Sequence, residues 1–106
     1  MSKLKKLDPN KVRQFYYQKV LGQFSFRPDG IDLMRYEKGF IIMKIITPVT
    51  KKPLLEIWLG EAVCMIKYIH RILALSFDGH KLFDDWKKFL KENLKNYNED
   101  DNIFTI

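Results

Sequence analysis

Between Phe40 and Thr47 the chain sets six apolar side chains (Phe40, Ile41, Ile42, Met43, Ile45 and Ile46) around one lysine, Lys44. So short and apolar a run reads as a central strand covered on at least one face, and the rest of the chain must supply the cover. Alternation along it places Ile41, Met43 and Ile45 on one side, with Phe40, Ile42 and Lys44 on the other. The flanking segments share the two-residue period. Ile31 to Tyr36 is expected as the preceding strand, joined by a tight hairpin at Glu37-Lys38-Gly39 in which Gly39 is free to take positive φ. Leu54 to Leu59 is expected to follow the basic loop Pro48–Pro53, with Leu55, Ile57 and Leu59 opposite Glu56 and Trp58. Upstream, Val20, Phe24 and Phe26 alternate with Leu21, Gln23, Ser25 and Arg27, which predicts another strand before the Pro28-Asp29-Gly30 turn.

The cover is expected from helices at both ends. Asp8 suits an N-cap, Pro9 the first helical position, and Leu7 and Val12 a hydrophobic staple. Val12, Phe15 and Tyr16 then predict a helix over about 9–18. Ala62, Met65, Ile66, Ile69, Ile72 and Leu73 fit the helical period over Glu61–Ser76. Phe83, Trp86, Leu90, Leu94 and Tyr97 fit it over His80–Asn96, where Asp84 and Lys88 stand four apart. The expected fold is α+β: a four-stranded antiparallel sheet with an N-terminal helix and two C-terminal helices packed on one face. The 106 residues suffice for one domain, 1–97, followed by an acidic tail, 98–106.

Charge is divided along the chain. Residues 1–52 carry twelve Lys or Arg against four acids, a net of +8, whereas residues 53–106 carry seven against nine, a net of −2. Such asymmetry points to a polyanionic partner; a merely solvated lysine surface is the plain alternative. The single Cys64 excludes a disulfide framework and a cysteine-built zinc site. His70 and His80 fall in different elements, and His80, Asp84 and Asp85 read as the decorated start of a helix rather than a metal site. The five glycines sit singly at turns, so no phosphate-cradling loop is present. The expectation is therefore a non-enzymatic protein with no cofactor and no metal. No apolar run reaches the 18–20 residues of a membrane span, and Lys3, Lys5 and Lys6 precede no secretory segment, so no membrane partner and a cytoplasmic location are expected.

Single strands of nucleic acid bind where cations for phosphates lie among aromatics for bases. Arg27, Arg35, Lys38, Lys44, Lys51 and Lys52 interleave with Phe24, Phe26, Tyr36, Phe40 and Trp58, and the six cations with Tyr36, Phe40 and Trp58 make nine. If helices cover the Ile41/Met43/Ile45 side, the opposite face presents Phe40, Lys44 and Trp58. These nine residues form the candidate site for single-stranded DNA or RNA, with a viral or phage origin as one option. The alternative is a small protein-interaction module, an inhibitor or adaptor, whose sheet or wide apolar helices bury against a partner or a second copy as a homodimer.

The strands closing into a long helix, from about Ile31 to Ile72, with the hairpin Arg35-Tyr36-Glu37-Lys38-Gly39-Phe40, resemble the single-stranded-DNA-binding fold of the positive-cofactor-four and Whirly type. That resemblance implies dimerisation through the helix and a basic, aromatic sheet that grips single strands, with Lys38, Phe40, Lys44 and Trp58 at the gripping positions. The segment Asn98-Glu99-Asp100-Asp101-Asn102-Ile103-Phe104-Thr105-Ile106 is similar to the acidic, aromatic-tipped tails of bacterial and phage single-stranded-DNA-binding proteins, departing from them at Thr105-Ile106. It implies a protein partner recruited through the tail.

Overall fold

A computed structural model describes residues 3–106. The first helix, α1 (Pro9–Phe15), starts as its residues dictate: the Asp8 carboxylate accepts the Asn10 N–H at 2.9 Å, and Pro9 follows where no N–H is needed. Leu7 and Val12 are both buried. The helix does not stop at residue 18. It continues as a π-helical turn (Tyr16–Val20) and a 3-10 turn (Leu21–Gln23). The strand expected from the alternation of Val20, Phe24 and Phe26 is therefore absent. Val20 is fully buried as the last member of the Val12–Phe15–Tyr16 stripe, and the wide π turn is what brings it round to the core.

Five strands form one sheet in the order β1 (Ile31–Glu37), β2 (Phe40–Ile46), β3 (Pro53–Gly60), β4 (Val63–Ile69) and β5 (Ile103–Thr105). β1 to β4 are an antiparallel meander; β5 joins the edge of β4 in parallel. The β1–β2 hairpin turns at Lys38-Gly39 with Gly39 at φ +84°. The sheet is thus five-stranded rather than four-stranded. The long helix expected over 61–76 is replaced by β4 and a single helical turn, α2 (Arg71–Ala74), so the helix that the family resemblance would use for dimerisation is not formed there. The last helix, α3 (Gly79–Asn93), is capped by Asp78, whose side chain accepts the Lys81 N–H. The ion pairs within it are Lys81–Asp85 and Asp84–Lys87, not Asp84–Lys88.

The helices lie on one face, and the core is built there. Val12, Phe15 and Tyr16 meet Leu82, Trp86 and Leu90 over Ile41, Met43, Ile45, Leu55, Ile57, Leu59, Cys64 and Ile66. Trp86, fully buried, stands edge-on to Phe15 (5.3 Å between centroids) and stacks on Phe89. The segment 98–106 packs beside this core. Asn102 is buried, and β5 directs Phe104 onto Phe83 and His80 of α3. Three donors converge on the Gly60 carbonyl: Trp86 Nε1 at 2.9 Å, Asn102 Nδ2 at 3.1 Å and Cys64 Sγ at 3.6 Å. Gly60 has no room for a side chain, since a Cβ there would lie 2.6 Å from the Val63 carbonyl oxygen and 2.9 Å from the Phe40 ring.

Cys64 is 1% exposed, and burial pushes its thiol up to about 11 from 9.0, the bonds to Gly60 and Asn102 offsetting only part of that. About a hundredfold less thiolate is present at neutral pH than for an unperturbed cysteine. Native protein is therefore expected to resist iodoacetamide and to label fully in guanidinium, as read by mass spectrometry; rapid native labelling would contradict the buried placement.

Candidate functional site

The uncovered face of the sheet is set by the pairing register. Leu33 opposes Lys44, Arg35 opposes Ile42, Glu37 opposes Phe40, and on the other side Ile42 opposes Trp58 and Lys44 opposes Glu56. Directly opposed residues share a face, so Leu33, Arg35, Phe40, Ile42, Lys44, Glu56 and Trp58 all look away from the helices. Met65 opposes Trp58 and extends this face onto β4. A bulge between Glu56 and Ile57 sets Lys67 beside it, over the Trp58 ring.

Ile42 is the centre of this face. It is only 1% exposed yet lies outside the helix-side core; Trp58 is paired across from it and Phe40 stands two residues away on the same face, their rings edge-to-face at 5.3 Å. Glu56 organises the polar half. Its carboxylate accepts the Trp58 Nε1–H at 2.6 Å and pairs with Lys44 Nζ at 3.4 Å and Lys67 Nζ at 3.8 Å. Burial by itself would raise the Glu56 carboxyl, but the hydrogen bonds from Trp58 and Lys44 and the two ammonium charges outweigh it and hold the group below its ordinary 4.5. Lys67 Nζ also stands 4.7 Å above the Trp58 ring. The indole is thus pinned at its N–H edge and at one face before any ligand arrives.

The nine residues singled out from the sequence do not form one patch. Arg35, Phe40, Lys44 and Trp58 come together on the open face, where Arg35 pairs with Glu37 at 3.2 Å. Tyr36 points to the helix side. Arg27 is held by Asp32, whose other oxygen accepts the Tyr16 hydroxyl at 2.9 Å, also on the helix side. Lys38 sits in the hairpin at one end of the sheet, and Lys51 and Lys52 lie in the β2–β3 loop at the other. The two ends are separated by roughly 20 Å of strand. Lys38, Lys51 and Lys52 have no ion-pair partner among the described residues, and all three are exposed. Lys67, with its ammonium over the indole, was not recognised from the sequence because its segment reads as helical there.

Elsewhere, a groove between α1 and α3 is lined by Lys11, Gln14, Lys19, Asp85, Lys88 and Glu92, whose opposite charges nearly cancel. Among the described residues no three His, Cys, Asp or Glu side chains cluster closely enough to hold a metal ion, and no helix is long and apolar enough to cross a membrane. No protein-family model, no curated protein and no solved structure matches the chain.

Proposed function

We propose that the protein binds single-stranded nucleic acid, DNA or RNA, without catalysis, on the uncovered face of its sheet. The observation that carries this reading is the Phe40–Trp58 pair, packed edge-to-face with the indole bonded to Glu56, on a face that no described helix covers and bordered by Lys44, Lys67 and Arg35. An indole locked at one edge loses little freedom when a base stacks on it, and each such stack is worth roughly 1–3 kcal/mol. The exposed Lys38 at one end, and Lys51 and Lys52 at the other, are spaced to take phosphates where a strand enters and leaves. Nothing in this arrangement reads base edges, so little sequence preference is expected.

A protein-interaction role for the same face is favoured by its apolar margin: Ile31 is 38% exposed, Leu33 45% and Ile103 61%. The two readings separate in a titration with a labelled single strand of about 20 nucleotides at two salt concentrations. Binding of nucleic acid loses affinity with salt at a log–log slope of roughly −0.7 per phosphate neutralised; absence of binding at low salt leaves the protein-interaction reading.

Glu56 supplies a sharper test. It holds two ammonium groups that the proposed ligand would also use, so Glu56→Gln is expected to tighten single-strand binding several-fold and to steepen the salt slope. Acid has the same sign. The carboxyl is lowered in the folded protein, so its pairing with Lys44 and Lys67 is complete above 4.5 and is lost only as the pH falls through the lower folded value. Unchanged affinity in Glu56→Gln would place the ligand away from Lys44 and Lys67.

A further inference from the structure

We propose that β1 is a self-pairing edge: two copies of the chain join β1 to β1 antiparallel, in a register centred on Met34, into one ten-stranded sheet. The edge has the form that pairing requires. It is seven residues long, contains no proline or glycine, and runs against β2 with no break in register from Ile31↔Ile46 to Glu37↔Phe40, whereas the β2–β3 and β3–β4 ladders are both bulged. Edges are usually blunted by proline, a bulge, a covering segment or charge; the charges of β1 are already paired within the monomer, Asp32 with Arg27 and Arg35 with Glu37. The opposite edge, β5, has only three residues.

The alternation of the ladder selects the register. A two-residue hairpin closes on a hydrogen-bonded pair, here Glu37 and Phe40, so the backbone groups of Glu37, Arg35, Leu33 and Ile31 are directed to β2. Those of Asp32, Met34 and Tyr36 therefore point outward, and no described group outside the sheet bonds to them. Centring the twofold axis on Met34 opposes Asp32 to Tyr36, Met34 to Met34 and Tyr36 to Asp32. Every outward group then enters a pair that exchanges two N–H···O bonds. Centring on Leu33 or Arg35 leaves one of the three unused, and centring on Arg35 also opposes like charges.

A second copy fits better than an arbitrary strand because the side chains of β1 complement each other in this register. On the open face Leu33 lies across from Arg35 and Ile31 across from Glu37, so each apolar group exposed in the monomer meets the aliphatic stem of a charged one. The twofold is perpendicular to the sheet, so both open faces stay on the same side. Five strand spacings of about 4.8 Å put the two copies of Trp58 roughly 24 Å apart on one surface. The seam stands independently of the nucleic-acid reading; only the shared platform rests on it.

Sedimentation of the nucleic-acid-free protein from micromolar to sub-millimolar concentration tests the seam. The expected result is a reversible monomer–dimer equilibrium, since so small an interface binds weakly. Leu33→Glu sets a carboxylate across from Arg35 and should tighten the dimer, while Leu33→Lys sets like charges together and should weaken it. Each change amounts to about 2- to 30-fold, because the twofold counts the pair twice. Tyr36→Pro removes an outward N–H and leaves the β2 ladder intact, and it should abolish the dimer while circular dichroism shows the fold retained. A monomer at every concentration overturns the seam. So does a dimer that ignores Tyr36→Pro, or one that both Leu33 substitutions shift in the same direction.

Discussion

Replacing Trp86 by alanine is expected to remove about 3–5 kcal/mol of folding stability, the range for deleting a buried large aromatic. For a domain whose total stability lies near 5–15 kcal/mol, that is a large share. The indole has no exposed surface, and it ties three parts of the chain together. It meets Phe15 of α1, stacks on Phe89 one turn further along α3, and donates its N–H to the carbonyl of Gly60 where β3 ends. The variant leaves a ring-sized void between α1, α3 and the sheet. Trp86→Phe separates the contributions. It keeps most of the packing and loses the donor, and because Asn102 and Cys64 still bond the Gly60 carbonyl, the further loss should be about 0.5–1.5 kcal/mol. Urea unfolding of the three proteins decides the matter, and an alanine variant within 1 kcal/mol of the parent, well below the cavity range, would remove Trp86 from the centre of the core.

The elements legible in the sequence are those whose burial pattern is local. In Phe40–Ile46, Ile41, Met43 and Ile45 alternate with Phe40, Ile42 and Lys44, Gly39 marks the turn, and the faces of β1, of β2 and of Leu55 to Leu59 in β3 follow from counting in twos. Two segments carried a second, misleading period. Val20, Phe24 and Phe26 alternate, yet Val20 belongs to the helical stripe that begins at Val12, and a π turn shifts the spacing that would have shown it. Ala62, Met65, Ile66 and Ile69 match a helix, yet the bulge at Lys67 breaks the alternation of β4. The content of Val63, Ile66, Tyr68 and Ile69, branched or aromatic, was the available signal for a strand. Pairing of β5 with β4 joins residues about forty apart in sequence and has no local signature.

The same contrast runs through the candidate site. Phe40, Lys44 and Trp58 share a face because they share a parity across paired strands, and that much follows from the sequence. The division of charge did not survive folding. The basic half supplies β1 and β2 and the acidic half supplies β3 and β4, which meet at the β2–β3 seam and set Glu56 directly against Lys44. Net charge along a chain describes a face only when each half builds its own, and here both halves build one sheet.

Trp58→Ala is expected to weaken single-strand binding about 5- to 150-fold, the equivalent of one lost base stack of roughly 1–3 kcal/mol. The stability cost should be smaller than that of Trp86→Ala, because Trp58 is half-buried and its removal uncovers mainly Ile42. Trp58→Phe keeps a ring but gives up the N–H bond to Glu56. It should retain most of the affinity if stacking dominates, and fall with the alanine variant if the bond that holds the ring in place is required. Fluorescence gives a second, independent reading. The protein has two tryptophans, and Trp86 is shielded beneath the sheet. Any quenching by a bound strand should therefore come from Trp58 and vanish in both Trp58 variants, even where Trp58→Phe still binds. Quenching that persists in Trp58→Ala, or an affinity that does not change, would move the ligand off the open face and leave Phe40 and Trp58 as a second small core.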